Sequence, residues 1–170
     1  MEKKPTSHII LPIKQQAGPL EKLNDIGFRL ILIPFFGIAI PVITKINDEI
    51  TLTHWITKFS YAYTILIAFI IWQGNRYLLF TLRTYFDWFN KPVKKIILLL
   101  LAISFYTIPI SALLLTGWYY IFANGRVNWN TVYTTTLIIM LCVIFITHVY
   151  ETVFLVKESE TEIVKNEQLE

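Results

Sequence analysis

The sequence has few of the residues from which active sites and metal sites are built. It contains one cysteine, Cys142, and three histidines in 170 residues. Only 16% of its residues are charged, whereas about a quarter are charged in a typical soluble domain. A lone cysteine excludes an intrachain disulfide and a cysteine-rich metal site, and neither a phosphate-binding glycine loop nor a nucleophile elbow is present. We therefore expect no catalytic residue, metal ion or cofactor in this chain, which by itself is not predicted to be an enzyme.

Acidic residues are absent from the long apolar stretches that dominate the chain. These stretches cover Ile26–Thr44, Trp55–Gln73, Ile96–Gly117 and Val132–Val149. Each is close to the roughly 20 apolar residues that an α-helix needs to cross a hydrocarbon core of about 30 Å. They show no alternation of apolar and polar residues, so spanning helices are favoured over a barrel. The sequence predicts an all-α membrane protein with four transmembrane helices.

The positions of the basic residues predict an orientation. Cations cluster before the first span and in the predicted loop 74–95, while the opposite side carries only Lys45, Lys58 near the start of the second span, and Arg126. By the positive-inside rule, both termini and the region 74–95 face the cytoplasm of a multi-pass inner-membrane protein. We divide the chain into a cytoplasmic segment 1–25, a four-helix transmembrane bundle 26–149 and a cytoplasmic linker 150–170. Aromatic residues near the predicted boundaries, Trp118 and Tyr119 among them, are interpreted as an aromatic belt.

The segment that follows the fourth span lacks helix breakers. Residues 150–170 contain neither glycine nor proline, so one helix is expected from about 132 to 167, leaving the bilayer as a cytoplasmic signalling helix. Val153, Val156 and Ile163 form a thin apolar strip along it, which resembles a coiled-coil seam and favours a parallel homodimer. A solvated charged tail is the alternative interpretation.

Two charged residues are predicted at the same membrane boundary. Arg76 closes the second span and Glu151 follows the fourth. If the two helices are neighbours, these residues can form a charge-assisted pair, with Asn75 as an amide partner for either. In the alternative, Arg76 extends toward lipid phosphates and Glu151 is hydrated.

Three segments resemble a known membrane region. They are Ile71-Trp72-Gln73-Gly74-Asn75-Arg76, the aromatic-basic stretch Tyr85–Pro92 and the exit Val149–Leu155. Together with the third span, they resemble the four-helix sensor half of LytS/YehU-like sensor histidine kinases of the Bacteroidetes type. In that family the helix after the fourth span leads to a phosphoacceptor box and an ATP-binding domain. Neither occurs here, so the family's catalytic residues map onto none of His8, His54 and His148.

The resemblance implies a sensor and signal-transmission region of a two-component system. A membrane or envelope stimulus would pass through span four to a kinase module that this chain lacks, and a response regulator would be a partner only through that module. The other expected partners are the lipid bilayer and a second copy of the chain, and a net charge of +3 is too small to indicate nucleic acid. A small four-span transporter or an accessory membrane protein is the alternative. The absence of carboxylates from the spans argues against a proton-coupled transporter.

Overall fold

The computed structural model of the protein describes residues 25–49, 54–85 and 92–167. Nearly all of these residues are helical, and no strand occurs among them. The all-α prediction is therefore confirmed. The elements in chain order are α1 (Ile26–Thr44), a short 3₁₀ helix (Ile46–Glu49), α2 (His54–Tyr85), α3 (Pro92–Phe122) and α4 (Trp129–Glu167).

Each of the four α-helices is long and apolar enough to cross a membrane. α1 coincides with the predicted first span. α2 has 32 residues and is therefore about 48 Å long, so it continues well beyond the predicted end at Gln73. The interpretation of residues 74–95 as a loop is wrong up to Tyr85 and again from Pro92. A single glycine, Gly74, weakens a helix by only about 1 kcal/mol and does not end this one.

The helices form an up-and-down bundle in which neighbours in sequence are neighbours in space. α1 packs on α2, α2 on α3 and α3 on α4, while α4 makes smaller contacts with α1 and α2. The beginning of α1 contacts the later part of α2, where Arg76 bonds to Asp25. Tyr150 of α4 reaches the same place. One end of the bundle therefore gathers the start of α1 with parts of α2 and α4.

The distribution of polar residues is the reverse of that in a soluble protein. Large apolar side chains face outward; Phe105 is 85% exposed and Leu30 is 72% exposed. Membrane helices associate through small and polar contacts inside the bundle and leave their apolar side chains to lipid. The buried polar residues of the spans include Ser60, Thr64, Asn75, Thr107, Ser111 and Thr135. This arrangement supports a bundle that lies in a bilayer.

A proline in α1 explains one contact between helices. Pro41 lies inside α1 and has no N–H, so the carbonyl of Gly37 lacks its usual partner one turn later. The hydroxyl of Thr64 in α2 donates to that carbonyl at 2.7 Å. The approach is close, because a Cβ at Gly37 would lie 2.5 Å from the Cα of Ile65. The glycine lets the backbones of α1 and α2 approach closely, and the proline frees the carbonyl to which Thr64 donates.

At the opposite end of the bundle, three neutral side chains form a chain of hydrogen bonds. Trp118 Nε1 donates to Ser60 Oγ at 2.8 Å, and the Ser60 hydroxyl donates to Asn47 Oδ1 at 2.7 Å. We call these three residues the neutral cluster. Trp118 and Tyr119 are fully buried, so their assignment to an aromatic belt is wrong. Both side chains lie on the face of α3 that points into the bundle. A position near the end of a predicted span does not reveal which face of the helix a residue occupies.

Candidate functional site

A buried carboxylate joins three helices at the first end of the bundle. Asp25, directly before α1, accepts hydrogen bonds from Arg76 Nε at 2.9 Å and from the Tyr150 hydroxyl at 2.7 Å. Arg29, one turn into α1, lies 3.2 Å from the same carboxylate. We call these four residues the charged cluster. The Asp25 side chain is 5% exposed, so the cluster ties α1, α2 and α4 together with little access to solvent.

The protonation of Asp25 is set by competing effects. Burial raises the pKa of this carboxyl, but the hydrogen bond from Tyr150 and the charges of Arg76 and Arg29 together outweigh it. The net result is a pKa below the ordinary value of 3.8. Asp25 is therefore ionised at neutral pH, and the bonds to the two arginines are charge-assisted.

A second ion pair joins α2 and α4. Arg83 donates to Glu151 through two nitrogens, from Nη2 to Oε2 at 3.0 Å and from Nε to Oε1 at 3.3 Å. The Arg83 side chain is 2% exposed and that of Glu151 is 16% exposed. The guanidinium also lies over the ring of buried Phe154, 4.2 Å from its centre. We call Arg83 and Glu151 the exit pair, because α4 has no further described buried side chain beyond Phe154.

Arg76 and Glu151, the predicted pair, have different partners in the structure. Arg76 bonds to Asp25 and Glu151 bonds to Arg83. The prediction of a direct pair is wrong because α2 does not end at Gln73. Arg83 lies two helical turns beyond Arg76 on the same face of α2, and at about 1.5 Å per residue it is some 10 Å further along the axis.

Asn75, the predicted amide partner of these charges, bonds elsewhere. Its side-chain nitrogen donates to the Ile71 carbonyl at 2.8 Å and lies 3.0 Å from Thr107 Oγ1. The Thr107 hydroxyl in turn lies 3.2 Å from Asn75 Oδ1. Asn75 therefore joins α2 to α3 inside the bundle, one position away from the charged cluster.

The predicted apolar strip lies on the exposed part of a continuous helix. α4 runs unbroken for 39 residues, about 58 Å at 1.5 Å per residue. Val153 is 38% exposed, Val156 53% and Ile163 55%. The structure thus shows one helix that leaves the bundle and presents an apolar strip outside it.

Sequence reasoning missed two of the residues that tie α4 to the bundle. Asp25 falls in the predicted N-terminal segment 1–25, and Arg83 falls in the predicted loop 74–95, where only its charge enters the prediction of orientation. Tyr150 lies near a predicted membrane boundary, where an aromatic residue is typical of the aromatic belt, but it is buried and bonds to Asp25. A seven-residue spacing of arginines in α2 was the available signal, because it places Arg76 and Arg83 on one helix face.

A cavity extends from the charged cluster into the bundle. Arg76 and Tyr150 line it near the cluster, and Thr64 and Thr135 line it at the far end. Its lining on α2 and on α4 spans about 22 Å at 1.5 Å per residue. The side chains between the two ends are mostly apolar. The cavity is therefore polar at its ends and apolar along its length.

The described residues include no group of three or more His, Cys, Asp or Glu side chains that could hold a metal ion. Cys142 is a free thiol beside the cavity. Comparisons of the chain with protein-family models, curated proteins and solved structures find no match. We therefore infer function from the motifs of the sequence and from the geometry of α4.

Proposed function

We propose that this chain is the membrane sensor and signal-transmission region of a histidine kinase similar to the LytS/YehU type. A stimulus in or near the membrane would change the packing of the spans, and α4 would pass that change to a kinase module beyond the chain. The observation that carries the proposal is the continuity of α4 through the charged cluster and the exit pair. A helix that is held by its neighbours at one point and exposed beyond it is suited to transmit a displacement.

The mechanism needs two arrangements of the bundle that differ by a few kcal/mol. In the arrangement seen here, Asp25 and Arg83 hold α4 against α1 and α2. In the other, these bonds are broken and α4 shifts or rotates. A stimulus need only favour one arrangement to repopulate the two, and a preference of about 5.5 kcal/mol suffices to reverse a 1:99 ratio.

The orientation belongs to the same proposal. The charged cluster and the exposed end of α4 would face the cytoplasm, as the distribution of basic residues predicts. In a background in which Cys142 is replaced by alanine, Asn124→Cys should react with an impermeant thiol reagent in intact cells and Ser159→Cys should not. Both positions are exposed in the structure, so burial does not confound the comparison. The reverse pattern would overturn the orientation.

The homodimer is proposed from the exposed strip on α4. In membranes, Val156→Cys should form a disulfide-linked dimer on mild oxidation, because it lies at the centre of the seam. Leu155→Cys is the matched control, since it is equally exposed but lies on another side of the helix. Equal cross-linking at both positions would contradict the parallel seam.

Transmission can be tested with a kinase module attached after Glu170. Asp25→Asn should change the rate of autophosphorylation in membrane vesicles, because it weakens the hold on α4. A Gly-Gly insertion after Phe154 should make that rate insensitive to Asp25→Asn, whereas the same insertion after Asn124 should not. If Asp25→Asn leaves the rate of a folded protein unchanged, the transmission proposal fails and an accessory role gains.

A further inference from the structure

The charged cluster has more hydrogen-bond donors than its single carboxylate can satisfy. Two arginines face Asp25, so the cluster carries a net positive charge. Arg29 Nε is buried and has no hydrogen-bond partner among the described residues. Trp72 Nε1 is also buried; it lies near the Tyr150 hydroxyl but does not make a well-aligned hydrogen bond to it. Buried donors without partners are destabilising. The cluster is therefore suited to a second anionic acceptor.

Trp72 places one of these donors at the cavity. The residue is 7% exposed and lines the cavity together with Arg76, one turn further along α2. Residues four apart on a helix lie on the same face. The ring of Trp72 packs edge-on against Tyr150, with centroids 6.3 Å apart. An indole N–H and a guanidinium thus lie on neighbouring turns of α2 at one end of a mostly apolar cavity.

The length and the lining of the cavity limit what it can hold. The lining extends over about 22 Å of helix, and most of its side chains are apolar. Such a space suits an extended hydrocarbon chain. The combination of an apolar chain and one anionic end is that of a fatty acid.

We propose that this cavity binds one long-chain fatty acid, with its carboxylate at Arg76 and Trp72 and its hydrocarbon chain extending toward Thr135. The arginine supplies a charge-assisted bond to the carboxylate, and the indole supplies a neutral donor. Binding in the cavity requires neither a kinase module nor transmission through α4. Failure of the proposed function would therefore not contradict fatty-acid binding, and failure of fatty-acid binding would not contradict the proposed function.

Photo-cross-linking of the purified chain in lipid nanodiscs tests the proposal. The probes are palmitic acid with a diazirine on its chain, the matching alcohol, and a phospholipid that carries the same photoreactive chain. Mass spectrometry should find the acid on residues of α2 and α4 that line the cavity, and unlabelled palmitic acid should compete. Loss of one charge-assisted bond predicts labelling by the alcohol that is about tenfold weaker.

Variants separate the parts of the site. Ala68→Phe fills the cavity and should abolish labelling, whereas Ala62→Phe, at an exposed position on the same helix, should not. Trp72→Phe keeps the ring but removes the donor, and should weaken labelling several-fold, on the order of one hydrogen bond. Thr135→Val should leave labelling unchanged, because the end of the chain is apolar. Size-exclusion profiles should show that all four variants fold.

Several results would overturn the proposal. Equal labelling by the acid and the alcohol would show that the protein does not recognise the carboxylate of the probe. Labelling by the phospholipid alone would make the occupant a bilayer lipid. Equal labelling of the Ala68→Phe and Ala62→Phe variants would place the probe outside the cavity. Loss of labelling in Thr135→Val would indicate a ligand with polar groups at both ends, because Thr135 Oγ1 is buried with no partner among the described residues.

Discussion

The two ends of the bundle are held together by different chemistry. At one end, Asp25 and Arg83 bond through ionised groups to residues of α2 and α4. At the other, Trp118 and Ser60 bond through neutral groups and connect α3 to α2 and to Asn47 before it. The neutral cluster does not include α4. The hydrogen bonds that join α4 to Asp25 and to α2 at the charged end therefore involve ionised groups and are sensitive to charge.

The comparison indicates which end responds more strongly to a change in one side chain. Neutral hydrogen bonds inside a bundle contribute about 0.5–1.5 kcal/mol each and do not respond to pH. Buried ion pairs are different, since the loss of one partner leaves an uncompensated charge that costs about 3–5 kcal/mol. A small modification at the charged end thus has a large effect on α4, while the neutral end keeps α2 and α3 together.

Asp25→Asn should give the largest effect. Asparagine keeps an oxygen for the Tyr150 hydroxyl, but two arginines lose their counter-charge, so the free energy of unfolding should fall by about 3 kcal/mol. Unfolding by SDS in mixed micelles measures it. Asp48→Asn, at an exposed acidic residue near the neutral cluster, is the control and should change stability by less than about 0.5 kcal/mol. Equal effects of the two substitutions would remove the distinction between the ends.

Acid should reproduce part of the same loss. Because the pKa of Asp25 is lowered in the folded protein, the cluster's contribution is fully present above its ordinary value of 3.8. The contribution is lost as the pH falls through the lower folded value. Stability attributable to Asp25, taken as the difference between wild type and Asp25→Asn, should be constant from neutral pH to about 5 and shrink below about 4. A difference that instead changes between pH 6 and 8 would contradict this account.

Glu151→Gln should have an intermediate effect. The buried Arg83 loses the negative charge of Glu151, but the glutamine oxygen can still accept from the guanidinium, and the ring of Phe154 remains beneath it. We expect a loss of about 2 kcal/mol in the same SDS assay. Glu160→Gln changes an exposed residue of the same helix and should be neutral. A neutral Glu151→Gln would show that the exit pair does not hold α4.

Trp118→Phe should give the smallest effect of the set. It removes the donor to Ser60 while it keeps most of the buried ring, so the loss should be about 1 kcal/mol. The loss should be the same at pH 4 and pH 7, because the neutral cluster contains no titratable group. Trp55→Phe, at a tryptophan that is 70% exposed, is the control. A loss that depends on pH would mean that the two ends are coupled.

The four spans could be predicted from the sequence because a long apolar run is a property of consecutive residues. The start and end of α1 match the prediction, and α4 continues past Val149 as expected. What could not be predicted is the rotation of each helix. Trp118 and Tyr120 are two positions apart, yet the first is fully buried and the second is 68% exposed. Hydropathy does not separate two such residues.

Only part of the candidate site could be predicted from the sequence, because the end of α2 was not predicted correctly. Arg76 and Glu151 were correctly placed at one end of the bundle, but their partners depend on where α2 ends. An error of twelve residues in that boundary, from Gln73 to Tyr85, moved Arg83 into a supposed loop. Asp25 could not be predicted as a site residue, because it lies just outside a span and a single acidic residue there forms no recognisable sequence motif.

The central claim is that the charged end holds α4, and one distance measurement tests it most directly. Spin labels at Gly27 and Ser159, both exposed, report on α1 and the exit of α4 in bilayers, in a chain without Cys142. Labels at Lys45 and Tyr120 report on the opposite end. Asp25→Asn should broaden or shift the Gly27–Ser159 distance distribution and leave the Lys45–Tyr120 distribution unchanged. If the Gly27–Ser159 distribution stays the same in the folded variant, or both distributions change equally, the claim is wrong.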